Sequence, residues 1–216
     1  MREVQPWGVT EYSMSAHKSF KTRRATIDLI TNPYYGRMLF IDGVLQSASS
    51  DEKIYHGELI KNIAAAKTIL IAGGAEGALA KQVLSGSVSK VVMVDWDEEL
   101  VDAMRSEPFA GGAFEDPRLE IIHEDIVEYI KDAEEFDYIL LDLLDPDDDV
   151  DWLIKVCELC LKKTNSLCMN AGGNWETVRT IIHHLEKDGR YIIKRKINVP
   201  SFQQDWYLIE IDVYYT

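Results

Sequence analysis

Phe136-Asp137-Tyr138-Ile139-Leu140-Leu141-Asp142-Leu143-Leu144-Asp145-Pro146 runs from an apolar core into two carboxylates and a proline. The uninterrupted apolar run Tyr138 to Leu141 is the pattern of a parallel strand covered on both faces. Asp142 and Asp145 fall just past its C-terminal end, at the crevice where open α/β sheets bind ligands. Carboxylates placed there can hold a cationic substrate or take a proton from an amine. Asp-Pro is also an ordinary turn signal, so a solvated turn is the competing reading of these residues alone.

Outward from this stretch the chain keeps a regular period. Strands are predicted at Thr68–Ala72, Val91–Asp95, Leu119–His123, Tyr138–Leu141 and Ser166–Asn170. Helices are predicted between them, at Gly77–Leu84, Glu98–Arg105, Val127–Ala133, Trp152–Leu161 and Trp175–Lys187. Alternation at this spacing means βα units and a parallel sheet. Tyr191–Val199 and Trp206–Tyr215 are separated by only a short loop and are expected to pair antiparallel. Residues 1–50 read instead as a small β domain. Ala25–Thr31 alternates apolar and polar residues, and Asp42-Gly43 is a tight hairpin signal between Met38–Ile41 and Val44–Gln46. A helix-like stretch from Glu52 to about Ala66 opens the second domain, 51–216. A parallel sheet closed by an antiparallel hairpin resembles the plan of S-adenosylmethionine-dependent methyltransferases. The expected class is therefore α/β, Rossmann-like, behind an N-terminal β domain.

Three more strand ends carry acids. The first βα turn, Gly73-Gly74-Ala75-Glu76-Gly77-Ala78, lets the backbone approach a ligand closely, or is simply a tight turn. Glu76 is a poor neighbour for a pyrophosphate, which favours a helix N-terminus free of negative charge. It suits an ammonium or sulfonium. Asp95 ends the second strand, where an acid accepts from ribose hydroxyls; Asp97 is placed to cap the next helix. Asp125, past the third strand, can receive an exocyclic adenine amine. Each acid alone could be only a cap, but four strand ends with an acid are harder to ascribe to capping.

Composition narrows the partners. A net charge of −14 argues against a nucleic-acid surface. It would favour polycationic small molecules, or serve only solubility. No apolar run approaches the ~18 residues that span a bilayer, and the first residues lack a secretory signal's apolar core, so no membrane partner and a cytoplasmic location are expected. Cys157 and Cys160 share a helix face and are expected in the core; with Cys168 they do not make up a four-ligand zinc set, so no metal is expected. His183 and His184 are expected to be surface or packing residues.

Five ordered segments resemble the spermidine synthase family, the polyamine aminopropyltransferases. They are Gly36-Arg37-Met38-Leu39-Phe40-Ile41-Asp42-Gly43-Val44-Leu45-Gln46, Asp51-Glu52-Lys53-Ile54-Tyr55-His56, the Gly73–Ala78 loop, Asp142-Leu143-Leu144-Asp145-Pro146, and a weaker echo at Val199-Pro200-Ser201-Phe202 with Trp206. The resemblance implies transfer of an aminopropyl group from decarboxylated S-adenosylmethionine, the co-substrate, to putrescine or a related diamine or polyamine, without a metal. It implies that Asp142 is the base and that Tyr55 orients the amine. Gln46, His56, Asp145, Phe202 and Trp206 would line the amine side, and Glu76 would hold the aminopropyl ammonium. Gly73, Gly74, Gly77, Asp95, Asp125, Ile126 and Leu143 would form the nucleoside side.

The chain also departs from the family pattern. Glu76 replaces an aspartate, Leu143 and Leu144 replace small polar residues, and Phe202 replaces a tyrosine. The segment after Pro146 is compressed to Asp147-Asp148-Asp149, and the sequence ends at Thr216, short of the family's C-terminal extension. A compact member is expected, with a homodimer as the expected assembly. Two alternatives stay open: a small-amine methyltransferase using the intact cofactor, which Glu76 would repel, and a non-catalytic nucleoside- or polyamine-binding homologue.

Overall fold

The computed structural model describes residues 1–5, 8–143, 149–186 and 190–212. The chain begins with a two-stranded hairpin, β1 (Arg2–Gln5) and β2 (Gly8–Glu11). A four-stranded antiparallel sheet follows in chain order: β3 (Ala16–Lys21), β4 (Thr26–Asn32), β5 (Gly36–Ile41) and β6 (Val44–Ala48). The Asp42-Gly43 signal is realised between β5 and β6, with both residues left-handed at φ 49° and 82°. That geometry matches the twist of paired strands.

α1 spans Glu52–Leu59 and leads into the main sheet. Its strands are β7 (Thr68–Gly73), β8 (Lys90–Val94), β9 (Leu119–Ile122), β10 (Tyr138–Asp142), β11 (Ser166–Asn170), β12 (Tyr191–Asn198) and β13 (Asp205–Asp212). The helices between them are α2 (Ala78–Leu84), α3 (Glu98–Met104), α4 (Ile126–Asp132), α5 (Val150–Cys160) and α6 (Trp175–Leu185). The sheet order is β12-β13-β11-β10-β7-β8-β9, parallel from β11 to β9, with β13 antiparallel to both of its neighbours. Strand order reverses between β7 and β10, which makes the C-terminal ends of these two strands the ligand crevice.

The period-2 alternation of each strand builds two cores. Ile69, Ile71, Val91, Met93 and Leu140 face α1, α2 and α3, through Leu59, Leu79, Val83 and Val101. Leu70, Val92, Ile139, Leu141 and Met169 face α4, α5 and α6, through Ile130, Ile154, Cys157 and Ile181. Ile27, Leu29 and Leu39 of the N-terminal sheet join the first core. Cys157 and Cys160 are fully buried as thiols, their pKa values pushed up by burial.

Most element boundaries shift by one or two residues from the sequence reading, and three of the differences bear on the site or on the chain's end. The helix expected to reach Ala66 stops at Leu59. Ile63 and Ala66 leave the helical path to enter the first core, and Asn62 is drawn to Glu210. α5 starts two residues early, at Val150, because Asp149 caps it by accepting from the Trp152 N–H at 2.9 Å. The last strand begins at Asp205, and the expected tail Val213–Tyr215 lies outside the described residues. Among the described residues no helix is long and apolar enough to cross a membrane.

Candidate active site

Gly73 sets the site's geometry. Its φ of +86° suits glycine, and a Cβ there would lie 2.1 Å from the Asp142 carbonyl oxygen. The turn after β7 can therefore press against the end of β10 only without a side chain. A cavity of about 500 Å³ opens at this junction. It is bounded by the β7–α2 turn, the ends of β8, β9 and β10, α1, the β5–β6 hairpin, and Phe202 and Trp206 before and within β13.

One end is polar and acidic. Tyr55 Oη donates to Asp142 Oδ1 at 2.7 Å. His56 Nε2 lies 3.7 Å from Asp142 Oδ2 and 3.8 Å from Glu76 Oε1, ion-pair distances beyond a hydrogen bond. Tyr55, His56 and Glu76 are all buried. Burial, and then the Asp142 charge, hold the Tyr55 phenol well above its ordinary pKa, so it stays neutral. Burial and the Asp142 charge also raise the Glu76 carboxyl to about 7, against a lowering pull from His56. Burial opposes charge on His56, but the Asp142, Glu76 and Glu52 carboxylates outweigh it and raise its pKa. The cluster therefore carries excess negative charge that a bound cation would relieve.

His56, Glu76 and Asp142 also offer ligand atoms within 4.8 Å of one another. The other ring nitrogen of His56 is buried without a hydrogen-bond partner, whereas a metal-binding imidazole ordinarily donates from that nitrogen to an acceptor. The trio suits an organic cation better than a resident metal.

The other end holds Asp95 and Asp125. Asp95 accepts from the Asp97 N–H at 2.9 Å, and burial raises its pKa to about 6 against the lowering effect of that bond. The cap of α3 is Asp97, which accepts from Leu100 N–H at 3.1 Å, so Asp95 is left to the cavity. Asp125 does both things: Oδ1 caps α4 by accepting from Val127 N–H at 2.7 Å, and the residue lines the cavity. Between the two ends, Phe202 packs against Trp206 at 4.6 Å between ring centroids and against Tyr55 at 6.0 Å.

The model of the spermine/spermidine synthase domain matches residues 47–209, more than two thirds of the chain. The chain belongs to the spermine/spermidine synthase family. Polyamine aminopropyltransferase 2 of Pseudomonas aeruginosa is 43% identical over 126 residues, 54% of this chain and 36% of that protein. The polyamine aminopropyltransferase of Saccharolobus solfataricus is 32% identical over 197 residues, 87% of this chain and 59% of that protein. The chain thus spans between about a third and three fifths of the length of these relatives. A spermidine synthase from Thermotoga maritima superimposes with a TM-score of 0.87 at 20% identity, covering 100% of this chain and 79% of its own. A spermidine synthase in complex with the transition-state analogue AdoDATO gives 0.86, also at 20% identity, covering 100% of this chain and 80% of its own. These likenesses establish the Rossmann-like fold with its N-terminal β region.

Of the family positions expected to form the site, Gln46, Tyr55, His56, Gly73, Gly74, Glu76, Asp95, Asp125, Ile126, Asp142, Leu143, Phe202 and Trp206 all line the one cavity. Gly77 does not. A Cβ there would meet Ala110 and Phe114 at 2.7 Å, so its close approach is to the protein's own packing rather than to the cavity. Asp145 lies outside the described residues. His184 is half-exposed and pairs with Glu158 at 2.8 Å, remote from the cavity.

Among the lining residues that the sequence reading did not assign to the site, Asn170 and Glu3 make the contacts that organise it. Asn170 Oδ1 accepts from Trp206 Nε1 at 2.8 Å while its Nδ2 donates to the Leu143 carbonyl at 3.2 Å, joining the aromatic wall to the β10 turn. Glu3 enters from β1 and accepts from Tyr12 Oη, Gln5 Nε2 and Leu45 N–H, each at 2.9 Å. Asn170 at a strand end was a usable signal. Nothing in the short N-terminal strands marked Glu3.

Proposed function

We propose that this family member transfers the aminopropyl group of decarboxylated S-adenosylmethionine to a small diamine or polyamine. The observation that carries the reading is the Tyr55–Asp142 hydrogen bond of 2.7 Å beside the buried Glu76, in a cavity whose other end holds Asp95 and Asp125. The nucleoside would place its ribose on Asp95 and its adenine amine near Asp125. Glu76 would take the aminopropyl ammonium, and the acceptor amine would lie between Tyr55 and Asp142.

The reaction needs little beyond alignment and a proton acceptor. The amine nitrogen lone pair attacks the methylene carbon attached to sulfur. The carbon–sulfur bond breaks with its electron pair passing to the sulfonium, which leaves as neutral methylthioadenosine. The acceptor starts as an ammonium and must lose a proton before its lone pair is free. Asp142 would take that proton and release it to solvent. Tyr55, held neutral, cannot serve as the base; it fixes Asp142 and offers a lone pair to the amine. Phe202 and Trp206 exclude water along the methylene chain.

Glu76 separates this reading from methylation by intact S-adenosylmethionine, whose carboxylate would face a buried carboxyl with another acid beside it. Incubating the protein with either cofactor and a panel of diamines, followed by mass spectrometry, tests the proposal. A diamine heavier by one aminopropyl unit, with methylthioadenosine, is the expected result. A methylated amine, or binding of methylthioadenosine without any product, would overturn it.

A further inference from the structure

Glu210, on β13, is 1% exposed, far less than acidic residues usually are. Its carboxylate joins elements that carry the site. Asn62, just beyond α1, donates Nδ2 to both oxygens at 2.7 and 2.8 Å. Tyr138 Oη, at the start of β10, donates to Oε1 at 2.8 Å. Arg195, on β12, pairs with Oε2, and its other terminal nitrogen donates to the Glu58 carbonyl in the last turn of α1 at 2.9 Å. These donors outweigh burial and hold the Glu210 carboxyl below its ordinary pKa.

A buried ion pair is a weak source of stability, because desolvation offsets most of its attraction. What this one does geometrically is specific. α1 has only eight residues; the Ile60 N–H closes onto the His56 carbonyl, and the carbonyls after it run out of intrahelical donors. Arg195 supplies a partner to the Glu58 carbonyl, and Glu210 binds Asn62, three residues beyond the helix. The same carboxylate holds the first residue of β10. α1 carries Tyr55 and β10 ends in Asp142, so the two elements are clamped at one end by Glu210 and meet at the other in the 2.7 Å hydrogen bond.

We infer that Glu210, with Arg195, is a positioning residue that sets α1 against β10 and thereby places Tyr55 on Asp142. The kinetic consequence rests on the proposed reaction; the geometric claim does not.

The triple variant Tyr138→Phe, Arg195→Met, Glu210→Met removes the clamp without leaving a buried charge or an unpaired hydroxyl within it. Three readouts decide. The melting temperature should match or exceed the wild type, as apolar replacements of buried ion pairs often do. Amide exchange in residues 54–59 should quicken about tenfold or more, while β10 keeps its protection. Turnover should fall by about a hundredfold, the scale of a misplacement of about 1 Å, with affinity for methylthioadenosine unchanged.

Wild-type exchange in α1 together with wild-type turnover would overturn the inference and leave the pair a packing feature. If the triple variant does not fold, Asn62→Ala, a change at the surface, carries the test. Faster α1 exchange at unchanged melting temperature supports the clamp, and unchanged exchange overturns it. If the wild type transfers no aminopropyl group, the proposed reaction fails and the exchange measurement alone decides.

Discussion

Tyr55 Oη donates to Asp142 Oδ1 at 2.7 Å, joining the middle of α1 to the C-terminal end of β10 across 87 positions of sequence. The two roles at this contact are unequal. Burial and the adjacent carboxylate keep the phenol protonated, so in the proposed reaction proton uptake would fall to Asp142.

Replacing Asp142 with Asn should lower turnover by about 10²–10⁴-fold, the usual contribution of a general base. Affinity for methylthioadenosine should stay within about twofold, because the proposed ribose and adenine contacts, Asp95 and Asp125, are elsewhere in the cavity. Steady-state kinetics beside calorimetric titration of the nucleoside would show it. Near-normal turnover would remove Asp142 from the base role.

Asp95→Ala should weaken methylthioadenosine binding by about 1–3 kcal/mol, the cost of losing a charged acceptor. The same carboxylate predicts a pH dependence. Its pKa in the free protein is raised to about 6, and ribose hydroxyls donate to its ionised form. Affinity should therefore be full above pH 6 and decline as pH falls through 6. Fluorescence or calorimetric titrations from pH 5 to 8 would measure this, and a flat profile would count against Asp95.

Glu76 titrates near 7 in the empty site, so it is partly protonated at neutral pH. An ammonium beside it should restore the carboxylate and, at pH 7, expel about half a proton. Calorimetry at pH 7 in buffers of different ionisation enthalpy should show proton release with decarboxylated S-adenosylmethionine and much less with methylthioadenosine. The difference should vanish in Glu76→Gln. Equal release with both ligands would place the ammonium elsewhere.

Gly73→Ala sets a side chain 2.1 Å from the Asp142 carbonyl oxygen at a φ of +86°. Backbone strain alone costs on the order of 1–3 kcal/mol, and the clash must also push β10 away. Chemical denaturation should show a loss at or above that range, together with lost activity. A fully stable variant would mean that the turn after β7 can move back freely.

Much of the architecture was legible because it is written in local periods. Both-faces-apolar runs such as Tyr138–Leu141 announce a parallel sheet, Asp42-Gly43 announces a hairpin, and an acid after each run must fall at the ligand-binding edge once the sheet forms. Asp97 as a cap, with Asp95 left to the cavity, followed from position alone. The end of α1 was not legible, because Glu52–Ala66 has helical texture throughout. Burial of Ile63 and Ala66, with the pull of Glu210 on Asn62, ended the helix at Leu59.

By itself, then, the sequence determined the alternation of the βα units, the acids at their strand ends and, through five ordered motifs, the resemblance to the family. The first two follow from spacing along one continuous segment, the third from the order and wording of the motifs. Tertiary structure alone decided that Gly77 serves packing with Phe114, that Glu3 reaches the cavity from the first strand, and that Glu210 is buried beneath α1. A carboxylate's residue type and neighbours do not say which distant donors will surround it. The energy of a buried charge depends on partners that only the folded chain brings within hydrogen-bond reach.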